Sequence, residues 1–345
     1  MLSYLHGYHA GNAADVLKHS TLAFCLAYLK KKEKPLLCVD THAGAGIYHL
    51  GDGSDPFVQN AEAGSVPVNL EWKNGLGLLL AGLPAGLPGG LRTDVRSGVP
   101  AGMYPKEAMP AMAAEYIRVC SARQPGKEEP LYDTKLDEPA GPVAAIKYYN
   151  GSPLVMAKIL EKGDRLVCYE LHPAEFDTLS KAMANFRNDP VKGNPAIEVR
   201  REDGLQGLKS LLPPPSRRAL VFIDPSWEDK SELESISRTL EDALGRFPQG
   251  TYIIWYPLLA RPKEKTGVSV GDTLFSLFHG ERCRVELYTA ASDSRTIDNS
   301  PRGMYGSGLV IFNPPWTLRP ALEESMPYYA KVLGSGAGGW KLEWE

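Results

Sequence analysis

Short apolar runs alternate with longer amphipathic stretches along much of this 345-residue chain. Asn12 to Lys34 reads as a helix: Val16, Leu17, Leu22, Leu26 and Leu29 place apolar groups on one side, and Asn12 is a suitable N-cap. Lys30, Lys31, Lys32 and Lys34 suit the negative end of its dipole, and Pro35 stops it. Leu36 to Asp40 then runs into a glycine turn, which by length and flanks is a buried parallel strand. The unit returns at Arg165–Glu170, at Ala196–Arg200 before Glu202-Asp203-Gly204, at Ala219–Ile223 before Asp224-Pro225, and at Thr251–Trp255 before Tyr256-Pro257. Helical patterns over Pro173–Phe186 and Ser231–Phe247 lie between them. Strand alternating with helix predicts an α/β fold, a parallel sheet with helices on both faces. Val285–Tyr288 and Gly308–Phe312 are two further apolar runs with no clear helix between them, which predicts an antiparallel pair.

The rhythm breaks between Gly51 and about Tyr149. This stretch holds Ala81-Gly82-Leu83-Pro84-Ala85-Gly86-Leu87-Pro88-Gly89-Gly90, a low-complexity segment of turn formers, with helical candidates at Ala61–Ala81 and Lys106–Ala122. The expected organisation is a core of residues 1–50 and 150–345, with 51–149 as an inserted subdomain carrying the Pro/Gly-rich segment.

Composition narrows the classes. Hydrophobic residues make up 43% and charged residues 23%, enough for a sizeable core. A net charge of −3 is unlike a strongly basic nucleic-acid-binding domain, so any nucleic-acid contact must come from a local patch. The 5 cysteines form no CxxC pair and match no zinc spacing, which predicts free thiols, a reducing compartment and no metal. No apolar run reaches the roughly 18 residues of a membrane span, and Met1 to His6 lacks the basic-then-apolar order of a secretory signal. A cytoplasmic chain with no membrane partner is expected.

The candidate chemistry sits at the strand ends. Asp40-Thr41-His42-Ala43-Gly44-Ala45-Gly46 follows a strand; Gly44 and Gly46 let the backbone turn sharply and approach a ligand. A dinucleotide fold would prefer GxGxxG, and the second half of that fingerprint is missing. Glu170, ending the second strand, is placed to hold ribose hydroxyls, and Asp203 to accept from an adenine amine; with Asp40 and Asp224 they form a set of acids at successive strand ends. That set points to S-adenosylmethionine as cofactor, although any one of the acids could merely cap the following helix.

Asp224-Pro225-Ser226-Trp227 approximates the Asp/Asn-Pro-Pro-aromatic tetrad of aminomethyltransferases. The lone pair of adenine's exocyclic amine is delocalised into its ring. A carboxylate and a backbone carbonyl can each accept one N–H and so aim the amine at the methyl donor, while the aromatic ring stacks on the base. Asp224 and Pro225 are therefore catalytic candidates, and Trp227 both a catalytic and a base-stacking one. Ser226 replaces the second proline, which costs backbone rigidity but keeps the Pro225 carbonyl. Asn313-Pro314-Pro315-Trp316 fits the tetrad more literally, yet it follows the last strand, away from the end of the fourth, and reads as a structural turn.

Tyr4-x-His6-x-x-His9-Ala10-Gly11-Asn12-x-x-Asp15-Val16-Leu17-Lys18-His19 resembles the N-terminal signature of the RlmJ-type 23S ribosomal RNA adenine-N6 methyltransferases. So do the Asp40–Gly46 loop, Gly151-Ser152-Pro153, Glu170-Leu171-His172-Pro173, Asp203-Gly204, Trp255-Tyr256-Pro257 and Asn313-Pro314-Pro315-Trp316. The resemblance implies a Rossmann-like S-adenosylmethionine-dependent methyltransferase sheet, mostly parallel, of seven strands with the last antiparallel, and an inserted helical subdomain. It implies a cofactor site of Lys18, His19, His42, Ser152, Glu170, Asp203, Gly204 and Asp224, beside Gly44 and Gly46, with Asp224 catalytic and Tyr4 and His6 reaching the target adenine. The implied partner is large-subunit ribosomal RNA, and a monomer is expected. Alternatives are an enzyme acting on adenine in DNA or another RNA, and a cofactor-binding RNA module that has lost catalysis. Two departures stand out: Ser226, and an insert that is longer than the resemblance implies and has the Pro/Gly-rich segment.

His19 taken alone would read as an ordinary helix residue, and only the signature singles it out; His42, inside the glycine loop, faces ligand or helix. His49, His172 and His279 read as structural. The lysines at 30–34 read as a solvated helix end. Arg217-Arg218 before the fourth strand is a candidate phosphate contact, with the bland reading preferred.

Overall fold

A computed structural model of the chain describes residues 9–50, 71–81, 109–122, 148–187, 194–229, 231–259, 269–290, 296–297, 300–301, 303–334 and 336–345. Tyr4, His6 and the Pro/Gly-rich segment lie outside the described residues. The strands are β1 (Leu37–Asp40), β2 (Ile47–His49), β3 (Ser121–Ala122), β4 (Tyr148–Asn150), β5 (Arg165–Tyr169), β6 (Ala196–Arg200), β7 (Ala219–Ile223), β8 (Thr251–Leu259), β9 (Arg282–Tyr288), β10 (Thr296–Ile297), β11 (Ser300–Pro301), β12 (Met304–Phe312) and β13 (Gly339–Trp344). The helices are α1 (Ala13–Leu29), α2 (Leu76–Ala81), α3 (Ala111–Cys120), α4 (Ser152–Ile159), α5 (Pro173–Arg187), α6 (Gly204–Leu211), α7 (Glu232–Arg246), α8 (Val270–Ser276) and α9 (Leu318–Leu333).

The main sheet has the order β13-β9-β12-β8-β7-β1-β5-β6. β6, β5, β1, β7 and β8 run parallel, while β12 lies antiparallel to both β8 and β9. The seven expected strands are all present, with the last of them reversed. An eighth, β13, extends the edge antiparallel to β9. Along the chain the order runs from β1 outward to β5 and β6, then returns to β7 on the other side. The switch point therefore falls between β1 and β7, and such a crevice at the carboxyl ends of the strands is where ligands bind in doubly wound sheets.

Alternate residues of each strand feed two cores. Cys38, Leu166, Leu220, Phe222 and Ile253 face α1, α3, α4, α5 and α9, whereas Val39, Val167, Val221, Ile223 and Ile254 face α6, α7 and α8. α1 departs from the one-sided helix its pattern predicts. Every residue from Ala14 to Ala23 is buried, because α3, α4 and α9 cover the faces that the sheet does not. It also ends at Leu29 rather than Lys34. The Arg218 guanidinium takes the carbonyls of Leu29, Lys32 and Lys34, so the terminal carbonyls are satisfied by a residue from another element and not by the lysines. Arg218 thereby packs at the amino end of β7, in keeping with the structural reading preferred for it.

Within 71–122, α3 packs on α1 and α9, and Tyr116 donates to the Tyr149 hydroxyl. Among the described residues, no helix is long and apolar enough to cross a membrane, and no group of three or more His, Cys, Asp or Glu is placed to hold a metal ion.

Candidate active site

The acids the sequence singled out converge on the switch-point crevice. Asp40 closes β1 and is fully buried; its Oδ1 accepts the His42 N–H at 3.3 Å, and its Oδ2 has no hydrogen-bond partner among the described residues. Desolvation pushes its carboxyl up to about 7, aided by the charges of Asp224 and Glu170 and partly offset by the neighbouring Ser152 hydroxyl and the His42 N–H. Ser152 opens α4, whose entry is tied to the glycine loop by the Gly151 N–H on the Gly46 carbonyl at 2.8 Å. Glu170 accepts the Gly44 N–H at 2.8 Å and the His172 N–H at 2.6 Å, so it fixes the loop's shape from the next strand.

Gly44 has a φ of 59° and Gly46 a φ of 74°, left-handed values that favour glycine. Gly204 is required for a different reason: a Cβ there would lie 2.2 Å from the Thr41 carbonyl oxygen, so only glycine lets α6 start against the β1 loop. Asp203 caps α6, accepting from the Leu205 N–H at 2.9 Å and the Gln206 N–H at 3.2 Å. The helix-cap alternative thus holds for Asp203, whereas Asp40 and Glu170 bind loop backbone and Asp224 binds a lysine. His42 lies in the loop beside the Thr41 hydroxyl, and desolvation pushes it down to about 4 against the pull of Asp224 and Asp203. It is neutral at physiological pH.

Asp224 follows β7 directly. Its Oδ2 accepts from Lys18 Nζ at 2.8 Å. The same ammonium pairs with Asp15 Oδ1 at 2.8 Å and lies 4.7 Å from the Trp255 ring centroid. A lysine buried to 2% exposure needs such compensation, and here two carboxylates and an aromatic face provide it. Lys18 in turn lines a cavity together with Ser226 and Trp227, the residues that follow Asp224 and Pro225.

Trp227 takes a φ of 57°, unusual for a bulky residue, and its indole N–H donates to the Trp255 carbonyl at 3.1 Å. Trp227, Trp255, Lys18, His9, Pro257 and Met304 line a cavity of about 190 Å³. A second hollow, of about 370 Å³, shares His9, Asn12, Ala14 and Met304 with it and continues past Glu71, Asn74 and Ser307. His9 binds Glu71 at 2.9 Å, chiefly through that hydrogen bond raising its pKa. His19 is buried at 1% exposure, with its ring stacked on Tyr149 at 5.7 Å and bonded to the Tyr149 hydroxyl.

The rival tetrad lies at the other end of the sheet. Phe312 pairs with Tyr252 near the amino end of β8, and Asn313, at φ 50°, donates its amide to the Pro248 and Gly250 carbonyls at 2.7 Å. It is a turn, as its position predicts.

Residues 141–345 match the family model described as "Ribosomal RNA large subunit methyltransferase D, RlmJ". The "Ribosomal RNA large subunit methyltransferase J" of Haemophilus influenzae is 32% identical over 346 aligned positions, covering 100% of this chain and 99% of the relative. The chain belongs to the RlmJ family. The protein of the same description from Escherichia coli is 31% identical over 345 positions, again across 100% of this chain and 99% of that one. A crystal structure of protein LPL1258 from Legionella pneumophila is similar throughout, with a TM-score of 0.66 at 28% identity over 97% of this chain and 98% of that one.

Three residues that matter to this RlmJ-family site escaped the sequence reading. Asp15 lies one turn before Lys18 on a helix, a charged pair inside an otherwise apolar run, and that mismatch was the available signal. Trp255 belongs to a motif but carried no role until its ring and carbonyl were placed. Glu232 gave no signal; its side chain meets Ser226 only through the fold.

Proposed function

We propose that this chain transfers a methyl group from S-adenosylmethionine to the exocyclic N6 of an adenine in large-subunit, 23S-type ribosomal RNA. The observation that carries the reading is the carboxylate of Asp224, held at the strand switch point by buried Lys18, which itself lines the cavity of Trp227 and Trp255. Family membership and the names of the relatives, both large-subunit ribosomal RNA methyltransferases, support the substrate class.

The crevice fits the cofactor. A sulfonium and an ammonium bring positive charge, and the wall offers Asp40, Glu170, Asp203 and Asp224, one of them with an orphaned buried oxygen. Gly44, Gly46 and Gly204 bring backbone close, and Ser152 and His42 complete the contour. His19 stands behind it, holding α1 to β4 through Tyr149. Bound there, the cofactor supplies an activated methyl group.

The target adenine leaves its stack, at a cost of a few kcal/mol, and enters the Trp227 cavity. Asp224 Oδ1 and the Pro225 carbonyl accept the two N–H groups of the amine, which localises its lone pair and aims it. Lys18 anchors the carboxylate through its Oδ2. Trp227 stacks on the base; Tyr4 and His6 are assigned to the same adenine, and segment 51–149 to holding the surrounding RNA.

Asp224→Asn and Asp224→Ala test this assignment. Methyl transfer to ribosomal RNA is expected to fall at least 100-fold, while cofactor binding, followed by calorimetry, survives in the Asn variant. Full transfer by either variant would remove Asp224 from the mechanism.

A further inference from the structure

Where a second proline would stiffen the tetrad, this chain has a serine, and the fold ties that serine down. Ser226 Oγ donates to Glu232 Oε1 at 3.2 Å, and Glu232 Oε2 accepts the Asp229 N–H at 3.3 Å. The Asp229 carboxylate takes the Ser231 N–H at 2.8 Å, and its carbonyl takes the Glu232 N–H at 3.1 Å. One half-buried carboxylate, on the first residue of α7, therefore holds the loop after β7 at two points. Trp227, between them, sits in the left-handed region, a conformation that persists only where its surroundings enforce it. A proline at 226 would supply the restraint covalently by fixing its own φ and keeping Pro225 extended. The Ser226 N–H makes no hydrogen bond among the described residues, so a proline there would forfeit none.

We infer that Glu232 is a positioning residue for methyl transfer: through Ser226 Oγ it fixes the peptide between Pro225 and Trp227, so that the Pro225 carbonyl and the Trp227 ring keep their places against the target base. This role rests on the adenine-methylating function proposed above. Desolvation raises the Glu232 carboxyl, opposed by the Asp229 N–H and the Ser226 hydroxyl and aided by the charges of Asp229 and Glu228, so the carboxylate is kept at some cost to hold this loop.

The test is a double-mutant cycle of Glu232→Ala and Ser226→Pro, with Glu232→Gln beside it. Methylation of ribosomal RNA is measured for kcat and KM, and hydrogen exchange for the amides of 226–231. In the Ser226 background Glu232→Ala should lower kcat about tenfold, leave cofactor affinity unchanged and speed exchange of the loop amides. Glu232→Gln, which keeps an acceptor for Ser226, should lose two- to threefold. In the Ser226→Pro background Glu232→Ala should cost less than twofold against that background's own rate, with slow exchange restored at Ser231 though not at Asp229, whose acceptor is gone. A loss of equal size in both backgrounds, or no loss in either, would overturn the role, since a residue that only supports α7 is indifferent to proline at 226. If no variant nor the unaltered chain methylates RNA while the exchange pattern appears as described, the proposed function falls and the loop clamp stands.

Discussion

Asp40→Asn should make the cofactor-free chain more stable and less able to bind its cofactor. The Asp40 carboxyl titrates at about 7 in the fold against an ordinary 3.8. The folded chain therefore holds this proton more tightly than the unfolded chain, and stability falls as pH rises from the unfolded value through the folded one. Each pKa unit is worth about 1.4 kcal/mol, so the full penalty above pH 7 is about 4 kcal/mol. Between pH 5 and pH 8 the penalty grows by about 3 kcal/mol on the same scale. Asparagine carries no such titration, though burying its amide beside an unpartnered site costs about 1–3 kcal/mol at every pH. The difference in unfolding free energy between the two proteins, from urea titrations followed by tryptophan fluorescence, should thus move by about 3 kcal/mol in favour of Asp40→Asn between pH 5 and pH 8. A difference that stays flat across that range would refute the reasoning. Loss of cofactor affinity in the same variant, whose orphaned oxygen is offered to a cation, would place Asp40 among residues that trade stability for binding.

Lys18→Met leaves buried Asp15 and partly buried Asp224 without their cation; it should cost roughly 3–5 kcal/mol in denaturant unfolding and reduce methyl transfer at least 100-fold. Trp227→Ala removes the stacking surface and should raise the RNA KM by roughly 5- to 150-fold, the equivalent of 1–3 kcal/mol, with an unchanged cofactor Kd. Gly204→Ala drives a Cβ against the Thr41 carbonyl and should destabilise the chain by about 1–3 kcal/mol, weakening cofactor binding as the β1 loop shifts. Cys25, Cys38, Cys120, Cys168 and Cys283 are all buried, so a thiol reagent such as Ellman's should titrate none in the native chain and all after denaturation.

Most of the parallel half of the sheet was legible because β1, β5, β7 and β8 are largely buried on both faces and read as apolar runs bounded by acids and glycines. β13 was not, for it is a partly buried edge strand whose Trp340, Leu342 and Trp344 alternate with polar residues and never form such a run. α9 was hidden by Pro327, a breaker in isolation, whose cost is offset by burying Leu318, Leu322, Met326 and Tyr329. In the site, the strand-end acids and glycines could be read because chemistry fixes their residue types and spacing. The Lys18–Asp224 pair joins residues whose partners are chosen by packing: Lys18 reaches Asp224 across 206 positions, and no local pattern encodes that. The choice between the two tetrads turned on strand direction, which the sequence order implied and the register of β12 on β8 displays.

The central claim is best tested by the chemical identity of the product. Purified chain incubated with radiolabelled S-adenosylmethionine and unmodified large-subunit ribosomal RNA, with duplex DNA in parallel, should place its label in RNA. After digestion to nucleosides, that label should run as N6-methyladenosine. Label in a pyrimidine, on ribose, or in DNA alone would contradict the account.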